Sequence, residues 1–93
     1  MRKYEVTFIF PPREEEFTSG KEFVKQELTN SGSKITNEID MGERDLAYTV
    51  KKHDRGHYLC YQIETEPEKI ANLDKAFKLQ SSILKYLFIK LDE

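Results

Sequence analysis

The stretch that decides the fold is KYEVTFIF, Lys3 to Phe10, in which polar and apolar residues alternate as far as Phe8. Apolar side chains occupy the even positions, and polar ones such as Glu5 and Thr7 stand between them. A period of two residues is typical of a β-strand with one buried face. Pro11 and Pro12 end the strand, because proline has no N–H to donate to a neighbouring strand. The sequence therefore begins with a strand that is buried on one side.

A helix is predicted next, from about Glu14 to Ser31. Its first turn is acidic, which suits the positive end of the helix dipole. Gly32 follows at the position where a glycine commonly ends a helix. Gly20 lies inside the helix, where glycine costs about 1 kcal/mol relative to alanine. Close packing of the helix against the sheet is one explanation for this glycine.

The residues from Ile35 to Lys52 predict one long strand whose apolar residues change parity at Gly42. They occupy odd positions before this glycine and even positions after it. One extra residue in one strand of an antiparallel pair has this effect, and glycine accepts the required backbone angles. We therefore predict a β-bulge at Gly42. The HDRG sequence, His53 to Gly56, is typical of a turn and leads to a further strand, His57 to Glu64.

A second helix and a last strand complete the chain. Thr65 and Glu68 have the spacing of a capping box, and Pro67 suits the first helical turn. Apolar residues then recur at helical spacing as far as Phe77. The last strand is predicted from about Ile83 to Leu91 and is apolar on both faces.

This order of elements, βαββαβ, predicts an α+β fold. The expected architecture is a ferredoxin-like sandwich, with a four-stranded antiparallel sheet in the order 4-1-3-2 and both helices on one face. We expect one domain over residues 1–93, because this length supports one hydrophobic core and is too short for two. The other face of the sheet is left open, and function is expected there.

Composition and charge exclude several classes of protein. The chain is 34% charged with a net charge of −2, which counts against nonspecific coating of nucleic acid by a large positive field. Cys60 is the only cysteine, so the chain has no internal disulfide and a reducing compartment is favoured. No apolar run approaches the roughly 20 residues of a membrane span, and the alternating N-terminal stretch indicates a strand, not a signal peptide. We expect a cytoplasmic protein.

No catalytic site, metal site or cofactor is predicted. His53 and His57 have no cysteine or carboxylate at a metal-ligand spacing, and the acidic run Glu14 to Glu16 is explained by a solvated helix start. Cys60 lacks a clear base. An acylphosphatase-like enzyme would need an anion-binding loop after the first strand, where the two prolines offer no N–H donors. We therefore expect a protein that is not an enzyme.

Binding is the expected function. Tyr48 and Tyr58 lie among arginines and lysines on predicted strands, a composition typical of platforms for single-stranded RNA. RGHYLCY, Arg55 to Tyr61, is similar to the RNP1 motif of RNA-recognition motifs, but Leu59 stands where the second stacking aromatic belongs. From these residues alone, a base-stacking surface and aromatics that only pack on the core are equally open. The residues predict a small binding or assembly module.

Four stretches together carry a resemblance to a known family. They are RKYEVTFIF at the start, a signature in the long strand, RGHYLCYQIE after it, and SILKYLFIK near the end. The signature is a glycine, a basic residue, Leu-Ala-Tyr, an aliphatic residue and a basic residue, filled here by Gly42, Arg44, Leu46, Ala47, Tyr48, Val50 and Lys51. Over nearly its whole length, the chain resembles the sixth protein of the bacterial small ribosomal subunit.

The resemblance implies a structural ribosomal protein with the fold predicted above and no cofactor. Such proteins bind the central domain of small-subunit ribosomal RNA as a heterodimer with the eighteenth small-subunit protein, so a ribosome-associated location in the cytoplasm is expected. A basic partner also suits the weak negative charge, because it can neutralise much of the phosphate. By analogy, the candidate RNA- or partner-binding residues are Arg2, Lys3, Arg44, Tyr48, Lys51, Lys85 and Lys90.

Two alternatives remain beside this hypothesis. One is a stand-alone RNA-recognition-like module that binds single strands by stacking on Tyr58. The other is a homodimeric protein-interaction domain of the same fold.

In the predicted strand order, Arg2 and Lys3 lie beside Lys90, and Lys85 lies at the opposite end of the same strand pair.

Overall fold

The computed structural model describes residues 1–91 and has the predicted order of elements. The elements are β1 (Arg2–Phe10), α1 (Glu14–Asn30), β2 (Lys34–Val50), β3 (His53–Thr65), α2 (Pro67–Leu79) and β4 (Lys85–Lys90). The strands form one antiparallel sheet in the order β2-β3-β1-β4, which is the predicted order read from the other edge. The ferredoxin-like sandwich is therefore confirmed. No helix in the described part of the chain is long and apolar enough to cross a membrane.

The hydrophobic core lies between the helices and one face of the sheet, which we call the covered face. It is formed by the even positions of β1 and β4 and the odd positions of β3. Val6, Phe8 and Phe10 are fully buried there, together with Tyr61. The ring of Phe8 lies edge-on to Phe77 of α2, with 5.0 Å between centroids. The alternation predicted for the first strand is confirmed.

The predicted bulge lies in β2 where the parity changes. Asp40 pairs with Leu59, whereas Gly42 pairs with the next residue of β3, Tyr58, so that Met41 is the extra residue. Gly42 has a φ of 76°, a conformation that side chains other than glycine rarely adopt. The bulge is therefore confirmed at the predicted glycine.

A second irregularity in β2 was not predicted. The pairing shifts between Ile35 and Asn37, so that Ile35 lies opposite Ile63 and Ile39 opposite Cys60. Ile35 therefore belongs to the covered face and Ile39 to the other face. The interpretation that these two isoleucines share a face is wrong, because an extra residue between them reverses the alternation.

The turn predicted at His53–Gly56 is also wrong, because these residues belong to β3. The hairpin turns at Lys51 and Lys52, whose φ values are 48° and 69°, and Val50 pairs with the first residue of β3. A two-residue turn with both φ values positive matches the twist of the flanking strands. Turn sequences usually carry glycine or asparagine at such positions, so a pair of lysines gave no signal.

The two glycines of the first helical segment have different roles. A Cβ on Gly20 would lie 2.6 Å from the ring of Phe10, so the glycine lets α1 lie close against β1. Gly32 follows the helix with a φ of 83°, and its N–H donates to the carbonyl of Thr29 at 3.0 Å. The predicted helix end is confirmed, and the close packing suggested for Gly20 is present.

Two element boundaries differ from the prediction. The prediction of a capping box formed by Thr65 and Glu68 is wrong, because Glu66 is the residue before α2 and no side chain caps the helix. Thr65 is buried because it still pairs within the sheet. The last strand spans Lys85–Lys90, somewhat less than the predicted range from 83 to 91.

Candidate nucleic-acid interface

The face of the sheet opposite the helices, which we call the open face, carries exposed apolar residues. It is formed by the odd positions of β1 and β4 and the even positions of β3. Leu87 and Ile89 of β4 are 58% and 44% exposed, and Ile39 of β2 is 40% exposed. Leu87 and Ile89 are neighbours on this face of β4, whereas Ile39 lies at the opposite edge of the sheet. Adjacent exposed apolar side chains are a common mark of a binding site.

The tip of the β2–β3 hairpin reaches across the open face to β4. The ammonium of Lys85 donates to the hydroxyl of Tyr48 at 2.8 Å and lies 5.3 Å from the centre of that ring. The ammonium of Lys51 donates to the carbonyl of Ile83 at 3.2 Å. Since β2 and β4 are opposite edges of the sheet, the hairpin must curl over it. Three predicted site residues, Tyr48, Lys51 and Lys85, therefore form one group, the hairpin-tip cluster.

The hairpin-tip cluster keeps a fixed positive charge. The hydrogen bond with the Tyr48 hydroxyl raises the pKa of Lys85 above its ordinary value. An ammonium has three N–H donors, and Tyr48 accepts one of them, so two are left for a ligand. The cluster can therefore hold a phosphate group.

Arg44 owes its position to the bulge. It lies opposite Gly56, on the open side of β2, whereas Asp40 before the bulge lies opposite Leu59 on the covered face. Without the extra residue, the even-numbered Arg44 would share the face of Asp40. Its Nε donates to the carbonyl of Met41 within the bulge at 3.3 Å. The bulge therefore redirects Arg44 to the open face.

The other predicted residues lie at the opposite end of the sheet. Lys90 is opposite Tyr4, beside Arg2 and Lys3. Strand alternation places Arg2 and Lys90 on the side of the covered face and Lys3 on the side of the open face. Lys85 begins β4, five residues or about 17 Å from Lys90. The structure thus places the candidate cations in two groups at opposite ends of the sheet.

Most of these cations are available to an external anion. Within residues 1–91, five of the candidates form no ion pair with a carboxylate: Arg2, Arg44, Lys51, Lys85 and Lys90. In contrast, Lys21 and Lys25 of α1 both contact Glu38, at 2.8 and 3.5 Å. Phosphate contacts by unpaired cations supply most of the affinity of proteins for nucleic acid.

Sequence reasoning missed the role of Gly56. A Cβ on this residue would clash with the side chain of Ile9 and would lie 3.5 Å from Leu46. The glycine therefore lets these two side chains approach each other on the open face. A glycine inside an alternating strand pattern signals such close approach, but here it was interpreted as part of a turn.

The residues considered for catalysis have structural surroundings. His57 Nε2 lies 2.6 Å from Asp40 Oδ1, and the ring stacks on Phe17 with 3.6 Å between centroids. Cys60 is 5% exposed, and burial raises the pKa of its thiol, whereas nucleophilic cysteines have a lowered pKa. No group of three or more His, Cys, Asp or Glu that could hold a metal ion occurs in the part of the chain that the structure describes.

The ferredoxin-like fold and the open face of its sheet together define a small α+β binding protein. Its open face is both basic and aromatic. The family model described as Ribosomal protein S6 matches residues 3–90. The small ribosomal subunit protein bS6 of Treponema denticola is 40% identical over 93 residues, which is the full length of both chains. The chain belongs to the ribosomal protein S6 family, and the resemblance found in the sequence is confirmed.

Further relatives agree with this assignment. The bS6 protein of Helicobacter acinonychis is 39% identical over 94 residues, covering 99% of this chain and 66% of that one. The crystal structure of 30S ribosomal protein S6 from Thermotoga maritima superposes with a TM-score of 0.89 at 27% identity, covering 97% and 87% of the two chains. The chain is thus a structural protein of the small ribosomal subunit, not an enzyme, and its location is the ribosome in the cytoplasm.

Proposed function

We propose that this protein binds the central domain of small-subunit ribosomal RNA as a heterodimer with the eighteenth small-subunit protein. The observation that carries the proposal is the open face, where unpaired cations and exposed apolar residues lie on one surface. Arg44 and Lys85 offer charge to phosphates, while Leu87 and Ile89 offer apolar contact to a protein. Both kinds of partner can therefore be bound at once.

The charge of the chain favours joint binding over binding alone. Its net charge is −2, so the long-range field does not attract RNA strongly. A basic partner would add phosphate contacts and would itself be attracted to the acidic parts of this chain. The proposed heterodimer thus combines two surfaces, of which this chain supplies the smaller share of positive charge.

The proposed RNA or partner contacts are the candidate residues of the two groups. At one end of the sheet they are Arg44 and the hairpin-tip cluster. At the other end they are Lys3 on the open face, with Arg2 and Lys90 at the end of the covered face. Cations about 17 Å apart can contact phosphates that are far apart along an RNA strand, which would fix the orientation of the protein on the RNA.

The test is the binding of the purified chain to a central-domain RNA fragment, with and without the eighteenth protein, over a series of salt concentrations. We expect tight, salt-sensitive binding only when both proteins are present. Arg44→Ala should weaken that binding and reduce the slope of log affinity against log salt by about one unit. Lys78→Ala, which removes an exposed lysine of α2 in the helical layer, is the matched control and should change neither.

Two results would contradict the proposal. Equal binding without the partner would favour a stand-alone RNA-binding module. A lack of binding in both cases would remove the ribosomal RNA role for this surface.

A further inference from the structure

A shallow cavity lies on the open face beside the hairpin tip. Its volume is about 170 Å³. All four strands contribute to its lining, which consists of Ile9, Leu46, Ala47, Tyr48, Val50, Tyr58 and Lys85. Drug-sized ligands need cavities of about 300 to 1,000 Å³, so this one suits a single flat ring system.

The apolar floor of the cavity depends on Gly56. Ile9 of β1 and Leu46 of β2 approach each other over this glycine, where any side chain would clash with Ile9. Tyr58 stands next to them, since it lies opposite Ile9 in the sheet. The floor of the cavity is thus set by the close approach of β1 and β2 side chains at Gly56.

The walls of the cavity combine aromatic rings with positive charge. Tyr48 is 62% exposed, which leaves much of its ring free to contact a ligand. Lys85 lies over that ring and keeps two N–H donors for an anion. Lys51 does not line the cavity, but its ammonium donates to the carbonyl of Ile83, two residues before Lys85.

We propose that this cavity binds one unpaired nucleobase of RNA, stacked on Tyr48, with Lys85 and Lys51 holding the adjacent phosphate. The inference extends the proposed function and rests on it. A nucleotide has the flat apolar surface and the nearby negative charge that the lining matches. A basic protein partner would bring like charges against Lys51 and Lys85, which disfavours it as the occupant.

The test uses the full-length ¹⁵N-labelled chain and a single-stranded RNA hexanucleotide of mixed, non-self-complementary sequence. We expect saturable shifts in the amide signals of residues 46–50, 58 and 85. Tyr48→Ala should weaken binding at least fivefold, because it removes a base–aromatic stack. Tyr48→Phe keeps the ring and should bind within about twofold of the unchanged chain, since only the hydroxyl is lost. An RNA duplex of the same length should bind more weakly, because its bases are not free to stack.

Leu79→Ala is the matched control, because Leu79 is exposed at the end of α2 and does not line the cavity. It should bind the hexanucleotide as the unchanged chain does. Absence of any shift, shifts only around residues 87 and 89, or unchanged binding by Tyr48→Ala would each overturn the inference. If Tyr48→Ala instead weakens the heterodimer in the absence of RNA and the hexanucleotide does not bind, the cavity is a protein-binding site.

This experiment contains neither ribosomal RNA nor the partner protein, so the two proposals fail separately. A chain that binds the hexanucleotide in the cavity but never joins the ribosomal fragment would contradict the proposed function alone. A chain that joins the fragment with its partner but leaves the cavity empty would contradict the inference alone.

Discussion

The two faces of the sheet are built from the same four strands and have opposite properties. On the covered face, Val6, Phe8 and Phe10 are fully buried and the aromatic rings pack at 5 to 6 Å between centroids. On the open face, Leu87 and Ile89 are about half exposed. The comparison shows that apolar burial is concentrated on one face, so we expect most of the stability to come from that face.

The largest effect is expected from a core aromatic residue. Phe8→Ala should lower the free energy of unfolding by about 3 to 5 kcal/mol, because it leaves a cavity among fully buried side chains. Leu87→Ala on the open face should change it by less than about 0.5 kcal/mol. Urea denaturation followed by circular dichroism measures both. Similar losses for the two variants would show that the open face also carries much of the stability.

A smaller effect is expected where the helix approaches the covered face. Gly20→Ala should destabilise the protein by about 1 to 3 kcal/mol, because the new methyl group would meet the buried ring of Phe10. Helix propensity acts in the opposite direction by about 1 kcal/mol. Ser19→Ala, at an exposed position of the same helix, is the control and should be nearly neutral. A higher melting temperature for Gly20→Ala would mean that this contact is not tight.

The smallest effect is expected at the rim of the covered face, where Glu38 of β2 contacts α1. The hydrogen bond from Lys21 and the charge of Lys25 lower the pKa of Glu38 below 4.5, although burial acts in the other direction. Because the pKa is lower in the folded state, this contribution to stability is complete above about pH 4.5 and is lost as the pH falls through the folded value. Glu38→Gln should lower the free energy of unfolding by less than about 1 kcal/mol at neutral pH and flatten its fall in acid.

Glu22→Gln provides the control for this measurement. Glu22 is exposed on α1 and forms no ion pair within residues 1–91. Stability curves against pH that coincide for the two glutamine variants would show that the contacts of Glu38 contribute nothing.

The sequence predicted the covered face well because buried side chains recur at a regular spacing along the sequence. The alternation of β1, the bulge at Gly42 and the end of α1 at Gly32 are all confirmed. Each depends on residues close together in the chain, either through a period of two or through the special backbone angles of glycine.

The sequence predicted the edge strand β2 less well. Most side chains of β2 are exposed, so few of them must be apolar for the fold to be stable. Register is weakly specified by sequence where neither face is fully buried, and the shift between Ile35 and Asn37 therefore left no clear pattern. The hairpin turn was missed for a related reason, since Lys51 and Lys52 adopt left-handed angles without the usual glycine or asparagine.

The sequence by itself determined the order of elements, the bulge, the buried face and the family. The tertiary structure alone decided which residues of the open face meet. Tyr48 and Lys85 are 37 positions apart, and nothing in either strand indicates their contact. They meet because the hairpin curls over the sheet from one edge to the other. Gly56 contributes because it allows the side chains of Ile9 and Leu46, which lie beneath the hairpin, to approach each other. Local patterns record burial and backbone angles, whereas a contact between opposite edges of a sheet depends on the twist and curvature of all the strands between them.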